Sequence, residues 1–179
     1  MYKKAVIRQY FTALLKANVA SVANRVYSGR INPQEDEAYP YLTVFTKDES
    51  VKEQTTAYTT RELELQIGIV IKDNTITDGD FYDIIESIMY DVEVAMSRVS
   101  AVNAKEVGDN FALFNDIVIS GSTTEHDISS GSNIGGAMLT YTVEYYYELP
   151  ILPLVLEDFD WQGSIGHIQI TNPGVPLNA

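Results

Sequence analysis

The strand that decides the fold runs from Arg61 to Ile71, where the sequence is RELELQIGIVI. Apolar residues occupy every second position and share one face, namely Leu63, Leu65, Ile67, Ile69 and Ile71. The opposite face carries Glu62, Glu64, Gln66 and Gly68. Because successive side chains of a strand point to opposite sides, this alternation predicts a strand with one buried and one solvated face. Such strands are typical of antiparallel sheets.

A second long strand is predicted from Ala137 to Leu149 by the same alternation. One of its faces carries Leu139, Tyr141, Val143, Tyr145, Tyr147 and Leu149, which leaves Tyr146 outside. Shorter extended segments are predicted at Arg25–Tyr27, Tyr41–Thr46 and Phe111–Ser120. Pro40 suits the start of a strand, because its missing N–H need not pair there.

Two amphipathic helices are predicted from apolar residues at helical spacing. The first runs from Tyr2 to about Ala23, with Asn24 as its stop. Its apolar positions are Ile7, Tyr10, Phe11, Leu14 and Leu15, and its solvent positions are Lys4, Arg8 and Lys16. The second begins at Thr77 or Asp78, where a cap and acidic residues suit a helix start. Its stripe is Phe81, Ile84, Ile85, Ile88, Val92, Ala95, Met96 and Val99.

The order of elements predicts an α+β fold: a mainly antiparallel mixed β-sheet with two helices packed on one face. The polar segment Lys47–Thr60 contains neither Gly nor Pro, which indicates a long projecting hairpin loop. The Ser/Thr/Gly-rich segment Gly121–Gly136 is expected to be mobile. Residues 1–149 form the predicted domain, and 150–179, with four of the six prolines, form an extended C-terminal arm.

Composition excludes several classes of protein. The chain has 179 residues, 45% hydrophobic and 21% charged, as expected of a globular protein. Its net charge of −13 argues against a broad nucleic-acid-binding face and against binding to anionic membranes. The absence of cysteine excludes disulfides, thiolate zinc sites and cysteine nucleophiles. No apolar run approaches a membrane span or a signal peptide, so we expect a soluble protein.

The sequence predicts no catalytic residue, no metal site and no cofactor. The acidic groups Glu125–Asp127, Asp78–Asp80 and Glu157–Asp160 do not match a calcium loop, and are interpreted as a solvated loop, a helix cap and a surface run. The segment Ser130–Asn133 lacks the strand-to-helix context of a serine nucleophile. An enzyme with an acid pair in the mobile loop and a monomeric binding module remain as alternatives. A body with long extensions favours a subunit of an assembly.

The segment from Tyr2 to Leu149 resembles the tail terminator proteins of tailed bacteriophages, the minor tail protein U-like group. The resemblance depends on the order and spacing of an N-terminal helix, Arg25-Val26-Tyr27 leading to Gly29, and Tyr39–Phe45. A polar segment, the strand Arg61–Ile71 and an acid-rich helix start then follow. The Ser/Gly loop and the C-terminal arm depart from the family pattern.

The resemblance implies a structural virion protein made in the host cytoplasm. Such a protein forms a ring, typically a hexamer, at the head-proximal end of the tail tube. It ends tube polymerisation and joins the tail to the head. The implied partners are other copies of the chain, the tail tube protein and a head–tail connector or neck protein. DNA only passes through the lumen, without specific binding, and no membrane is involved. Another head–tail neck or completion ring protein is the alternative.

Two groups of residues are predicted to make the contacts of such a ring. Asp48, Glu49, Lys52 and Glu53, in the hairpin segment, are expected to face the lumen or the tube. Acidic walls there would repel DNA phosphate. In the arm, apolar side chains are expected to contact a neighbouring subunit or the connector, with tryptophan as the main anchor. These arm residues are Leu154, Leu156, Phe159 and Trp161.

Overall fold

The computed structural model describes residues 3–29, 39–55, 58–72, 78–99, 113–127 and 134–148, and the statements below concern these residues. Two α-helices and five strands follow one another, with a 3-10 turn at Ala20–Val22. The helices are α1, Lys3–Asn18, and α2, Asp78–Ser97. The strands are β1, Val26–Ser28; β2, Tyr41–Gln54; β3, Tyr58–Lys72; β4, Asp116–Asp127; and β5, Ile134–Glu148.

The five strands form one sheet in the order β1-β2-β3-β5-β4. β1 runs parallel to β2, and every other neighbouring pair is antiparallel. The central β3–β5 ladder is continuous from Tyr58 opposite Glu148 to Lys72 opposite Ile134. By contrast, the register of β2 against β3 and that of β4 against β5 both shift, as at a β-bulge. The predicted α+β fold with a mainly antiparallel mixed sheet is confirmed.

One apolar core lies between the sheet and the two helices. The five alternating residues of β3 are all buried, and Ile67 lies between Val44 of β2 and Leu139 of β5 on the same face. A buried side chain of this size contributes about 1.5–3 kcal/mol by leaving water. The helices cover this face with buried residues from α1 (Ile7, Phe11, Leu15) and α2 (Phe81, Ile85, Ile88, Val92).

Most of the predicted apolar helix positions are buried, but the end of α1 and one position of α2 differ from the prediction. α1 ends at Asn18, before the predicted Ala23, and the left-handed φ angles of Ala23 (46°) and Asn24 (66°) turn the chain toward β1. Asparagine tolerates that conformation better than most residues. In α2 the predicted stripe is buried except for Ile84, which is 37% exposed.

The assignment of Arg8 to solvent was wrong. Its side chain is half-buried, and Nε donates a hydrogen bond to Ser28 Oγ at 2.9 Å. Nη1 lies 3.5 Å from Thr46 Oγ1. Arg8 therefore joins α1 to the start of the sheet.

Two predicted loops are largely strands. β2 continues to Gln54 and β3 begins at Tyr58, so Lys47–Thr60 forms the end of a long hairpin. β4 likewise continues to Asp127 and β5 begins at Ile134, within the segment expected to be mobile. Pairing of the backbone with β3 and β5 holds these segments extended without burying alternate side chains. The predicted loop Ile31–Ala38, the strand start at Phe111, and residues 150–179 lie outside the described residues.

Candidate functional site

The far end of the β2–β3 hairpin is polar and exposed. Its register with β3 shifts between Thr46 and Glu49 and again between Val51 and Glu53. A bulge re-aims the side chains that follow it. These two shifts explain why charged residues close together on β2 contact different partners.

Glu49 is the least exposed of the four predicted hairpin residues. Its side chain is 14% exposed, and Oε2 lies 3.0 Å from Lys4 Nζ and 3.2 Å from Arg61 Nη1. Tyr145 donates a hydrogen bond to Oε1. The Arg61 guanidinium also lies 4.3 Å from the centroid of the Tyr147 ring, a cation–π contact. Glu49 therefore joins α1, β2, β3 and β5 at one end of the core.

The electrostatics of this cluster favour an ionised Glu49. Burial opposes ionisation, but the hydrogen bonds from Tyr145 and Lys4, with the charges of Lys4 and Arg61, outweigh burial and lower the pKa of the carboxyl. Burial and the Glu49 carboxylate raise the pKa of the Tyr145 hydroxyl. Arg61 Nε, in contrast, is buried without a hydrogen-bond partner.

Lys52 contacts different carboxylates. Its Nζ lies 3.1 Å from Glu62 Oε1 and 2.5 Å from Glu144 Oε2. Glu62, Glu144 and Asp116 are directly opposite one another on β3, β5 and β4 and so share a face of the sheet. The hydrogen bond and charge of Lys52 lower the pKa of Glu144, despite a small opposing effect of burial. The hydrogen bonds to Glu144 and Glu62 raise the pKa of Lys52.

The structure thus separates the four predicted hairpin residues. Asp48 and Glu53 are exposed, Lys52 bridges two carboxylates, and Glu49 is held by Lys4, Arg61 and Tyr145. The Glu49 partners come from separate segments, so their spacing in the sequence gave no sign of the cluster. One signal was present, because the alternation of β5 places Tyr145 on the core side, where a phenolic hydroxyl needs a partner. The predicted arm residues Leu154, Leu156, Phe159 and Trp161 lie outside the described residues.

Sequence reasoning also missed a shallow groove between α2 and β4. It has a volume of about 280 Å³ and is lined by Glu93, Met96 and Ser97 from α2, with Ile117, Ile119 and Tyr141 from the sheet. Tyr141 is 4% exposed, and its hydroxyl is buried without a hydrogen-bond partner. Burial, with the nearby charge of Glu93, raises the pKa of Tyr141 to about 12.

Neither a cluster of metal ligands nor a membrane-spanning helix occurs in the described part of the chain. No group of three or more His, Asp or Glu residues there is arranged to hold a metal ion. Neither described helix combines the length and the apolar character that a membrane span requires.

Comparisons with known proteins give only a distant likeness. No protein-family model matches the chain, and no curated protein matches it. Among solved structures, one chain from the "Virion of native gene transfer agent (GTA) particle" is 11% identical, with a TM-score of 0.49. The match covers 76% of this chain and 92% of the other. A likeness at this level does not bear on function.

Proposed function

We propose that the chain is a structural, non-enzymatic virion protein. It is a subunit of a hexameric ring at the head-proximal end of a phage tail tube. The ring caps the tube, ends its polymerisation and joins the tail to the head connector. One observation carries this proposal: the described sheet has two different long edges without a partner strand. Within the described residues, β1 pairs with β2 only at Leu42–Val44, which leaves residues 45–54 of β2 open on one side, and β4 is the last strand on the other.

Two unlike edges on opposite sides of one subunit suit head-to-tail contacts in which each edge meets a different surface of a neighbouring copy. A contact between different surfaces repeats from copy to copy, and it closes into a ring when the rotation between copies permits. A symmetric dimer would instead use one surface twice. The two edges also differ in chemistry, since β2 carries Lys47, Asp48, Lys52 and Glu53, whereas β4 has no charged residue from Ile117 to Thr124.

The end of the hairpin faces the lumen or the tube in this proposal. Asp48 and Glu53 are exposed there, Lys47 lies 3.9 Å from a carboxylate oxygen of Glu64, and Lys52 is paired with two carboxylates, so the excess charge is negative. A negative wall repels DNA phosphates and lets the duplex slide without binding. In the arm, Leu154, Leu156, Phe159 and Trp161 contact a neighbouring subunit or the connector.

The assembly is tested by native mass spectrometry of the full chain over a concentration series, with negative-stain imaging, alone and with purified tail tube protein. We expect closed six-fold rings that bind tube ends and shorten the tubes that polymerise. Binding to the connector without any effect on tubes would reassign the chain to a neck ring. A chain that stays monomeric with both partners would overturn the proposal.

The lumen role is tested by the double substitution Asp48→Asn/Glu53→Gln, with Asp83→Asn/Glu86→Gln on the exposed side of α2 as the matched control. Both variants lose two negative charges. Only the hairpin variant should retain duplex DNA in the ring at low salt, because only its charges face the passage. Equal DNA retention by the two variants would contradict the placement of the hairpin.

A further inference from the structure

The outer edge of β4 is unusually open for an exposed strand. Within the described residues β4 pairs only with β5, over a length of twelve residues. Val118 and Ile119 are 55% and 46% exposed, and no residue from Ile117 to Thr124 is charged. Natural edge strands usually carry charges or proline, or are short, because a free edge pairs with other strands. The acidic residues of β4, Asp116, Glu125 and Asp127, lie at its two ends, so the stretch from Ile117 to Thr124 is interrupted only by the register shift between Ile119 and Gly121.

The groove beside this edge is the second feature that indicates a missing segment. Met96, Ile117 and Ile119 make it mostly apolar, and the hydroxyl of Tyr141 lies beneath it without a partner. A buried hydroxyl without a hydrogen bond is costly. A strand placed beside β4 would direct every second side chain toward this groove.

The open edge of β2 is a poor match for this site, because its charges would meet an uncharged strand. The end of the chain is a better match: from Trp161 to Ala179 it contains no Asp, Glu, Lys or Arg. Within it, a strand over Ile165–Thr171 would place Gly166, Ile168 and Ile170 on one side, with Ile165, His167, Gln169 and Thr171 on the other. Such alternation is typical of a strand, and Pro173 ends it.

We propose that Ile165–Thr171 of a neighbouring copy adds as a sixth strand to the outer edge of β4. Ile168 and Ile170 then lie on the groove side, and Gln169 and Thr171 lie on the side of Val118. Backbone hydrogen bonds supply the affinity, and the alternating isoleucines supply the specificity, as in other cases of strand addition. This inference rests on the proposed function, since it requires copies to lie side by side.

The intervening chain is long enough to reach the β4 edge of a neighbouring copy. Residues 149–164, sixteen in number, separate the end of β5 from Ile165. Extended at roughly 3.3 Å per residue they reach about 50 Å, whereas the chain's own β4 edge is only two strand spacings away, about 10 Å.

Cysteine cross-linking tests the contact directly, because the chain contains no cysteine. Val118→Cys is mixed with Gln169→Cys or with Thr171→Cys and oxidised, and a disulfide forms only where the two Cα atoms come within about 7 Å. Val51→Cys on β2 is the matched control, since Val51 is 57% exposed and Val118 is 55% exposed. We expect at least five-fold more covalent dimer with Val118→Cys than with the control. Equal yields would overturn the proposal, as would a link within one chain in the doubly substituted protein.

Amide hydrogen exchange gives an independent test on the full chain. The variant Ile168→Asp/Ile170→Asp should exchange the outward amides of residues 117–124 about ten-fold faster than the unaltered protein, and the amides of β3 should not change. Unchanged exchange in β4 would overturn the proposal.

Failure of this inference is distinguishable from failure of the proposed function. If the unaltered chain forms rings and binds tube ends, but the cysteine variants give no Val118-specific link, the function is kept and the strand addition is rejected. An unaltered chain that forms no oligomer with tube or connector would reject both.

Discussion

Tyr145 donates a hydrogen bond to Glu49, although the two residues are 96 positions apart in the chain. The bond joins β5 to β2 across the intervening β3, at the end of the core nearest the start of α1. Because Lys4 and Arg61 contact the same carboxylate, the ion pairs and the hydrogen bond depend on one another. The stability of this corner of the molecule should therefore respond strongly to changes in Glu49.

Substitution of Glu49 by glutamine should destabilise the fold. The amide keeps the shape of the side chain but leaves Lys4 and Arg61 without their carboxylate, and a half-buried cation without a partner is costly. We expect the free energy of unfolding to fall by about 2 kcal/mol, measured by urea denaturation. Asp48→Asn is the control, since Asp48 is exposed and adjacent in sequence. A similar effect of both substitutions would show that the Glu49 cluster contributes nothing specific.

Stability should fall in acid, and Glu49 should account for part of the loss. The folded state lowers the pKa of Glu49 and of Glu144 below the ordinary value of 4.5. Their contribution is therefore complete above that value and is lost as the pH falls through the folded pKa values. Urea denaturation between about pH 3 and pH 6 should show a shallower decline for Glu49→Gln than for the unaltered protein. Parallel curves would contradict this assignment.

The same substitution should have opposite effects at two tyrosines of β5. Tyr145→Phe removes a hydrogen bond to a carboxylate and should lower the unfolding free energy by about 1–2 kcal/mol. Tyr141→Phe removes a buried hydroxyl without a partner and should raise the stability of the free subunit by up to about 1 kcal/mol. Thermal and urea denaturation of both variants would check the signs. Destabilisation by Tyr141→Phe would show that this hydroxyl has a partner in solution.

Tyr141 should also make the fold less stable at alkaline pH. Burial holds its pKa at about 12 in the fold, so above the ordinary tyrosine value of 10.0 the unfolded chain loses this proton more readily than the folded chain does, and stability falls. The loss grows as the pH rises toward the folded value. The unaltered protein should therefore lose more stability between about pH 9 and pH 11 than Tyr141→Phe does. Equal losses would contradict the prediction.

Two glycines should differ sharply in their tolerance of alanine. A Cβ at Gly136 would lie 2.2 Å from the backbone oxygen of Ile69, whereas a Cβ at Gly121 would meet nothing within 4 Å. Gly136→Ala must push β5 away from β3 and should cost about 3 kcal/mol. Gly121→Ala should change stability by less than about 0.5 kcal/mol. Comparable stabilities of the two variants would show that the central strands adjust without loss.

The sequence predicted the elements whose burial is periodic. The stripe of α2 and the alternation of β3 and β5 follow directly from which side chains face the core. Prediction failed at Lys47–Gln54 and at Gly121–Asp127, since most side chains there are exposed on both faces and leave no period-two signal. These segments are strands because their backbone groups pair with β3 and β5. The Glu49 cluster could not be predicted, since α1, β2, β3 and β5 each supply a member.

The strand order has a consequence for the nascent chain. β3 meets β2 as soon as the hairpin leaves the ribosome, but its other neighbour, β5, is synthesised only after α2 and β4. The fifteen-residue edge of β3 is therefore exposed through the synthesis of more than sixty further residues. Strand edges exposed in this way promote aggregation during synthesis. The charges of Arg61, Glu62 and Glu64 on β3 protect one half of that edge until β5 arrives, while the apolar half from Leu65 to Ile71 depends on timely completion of the chain.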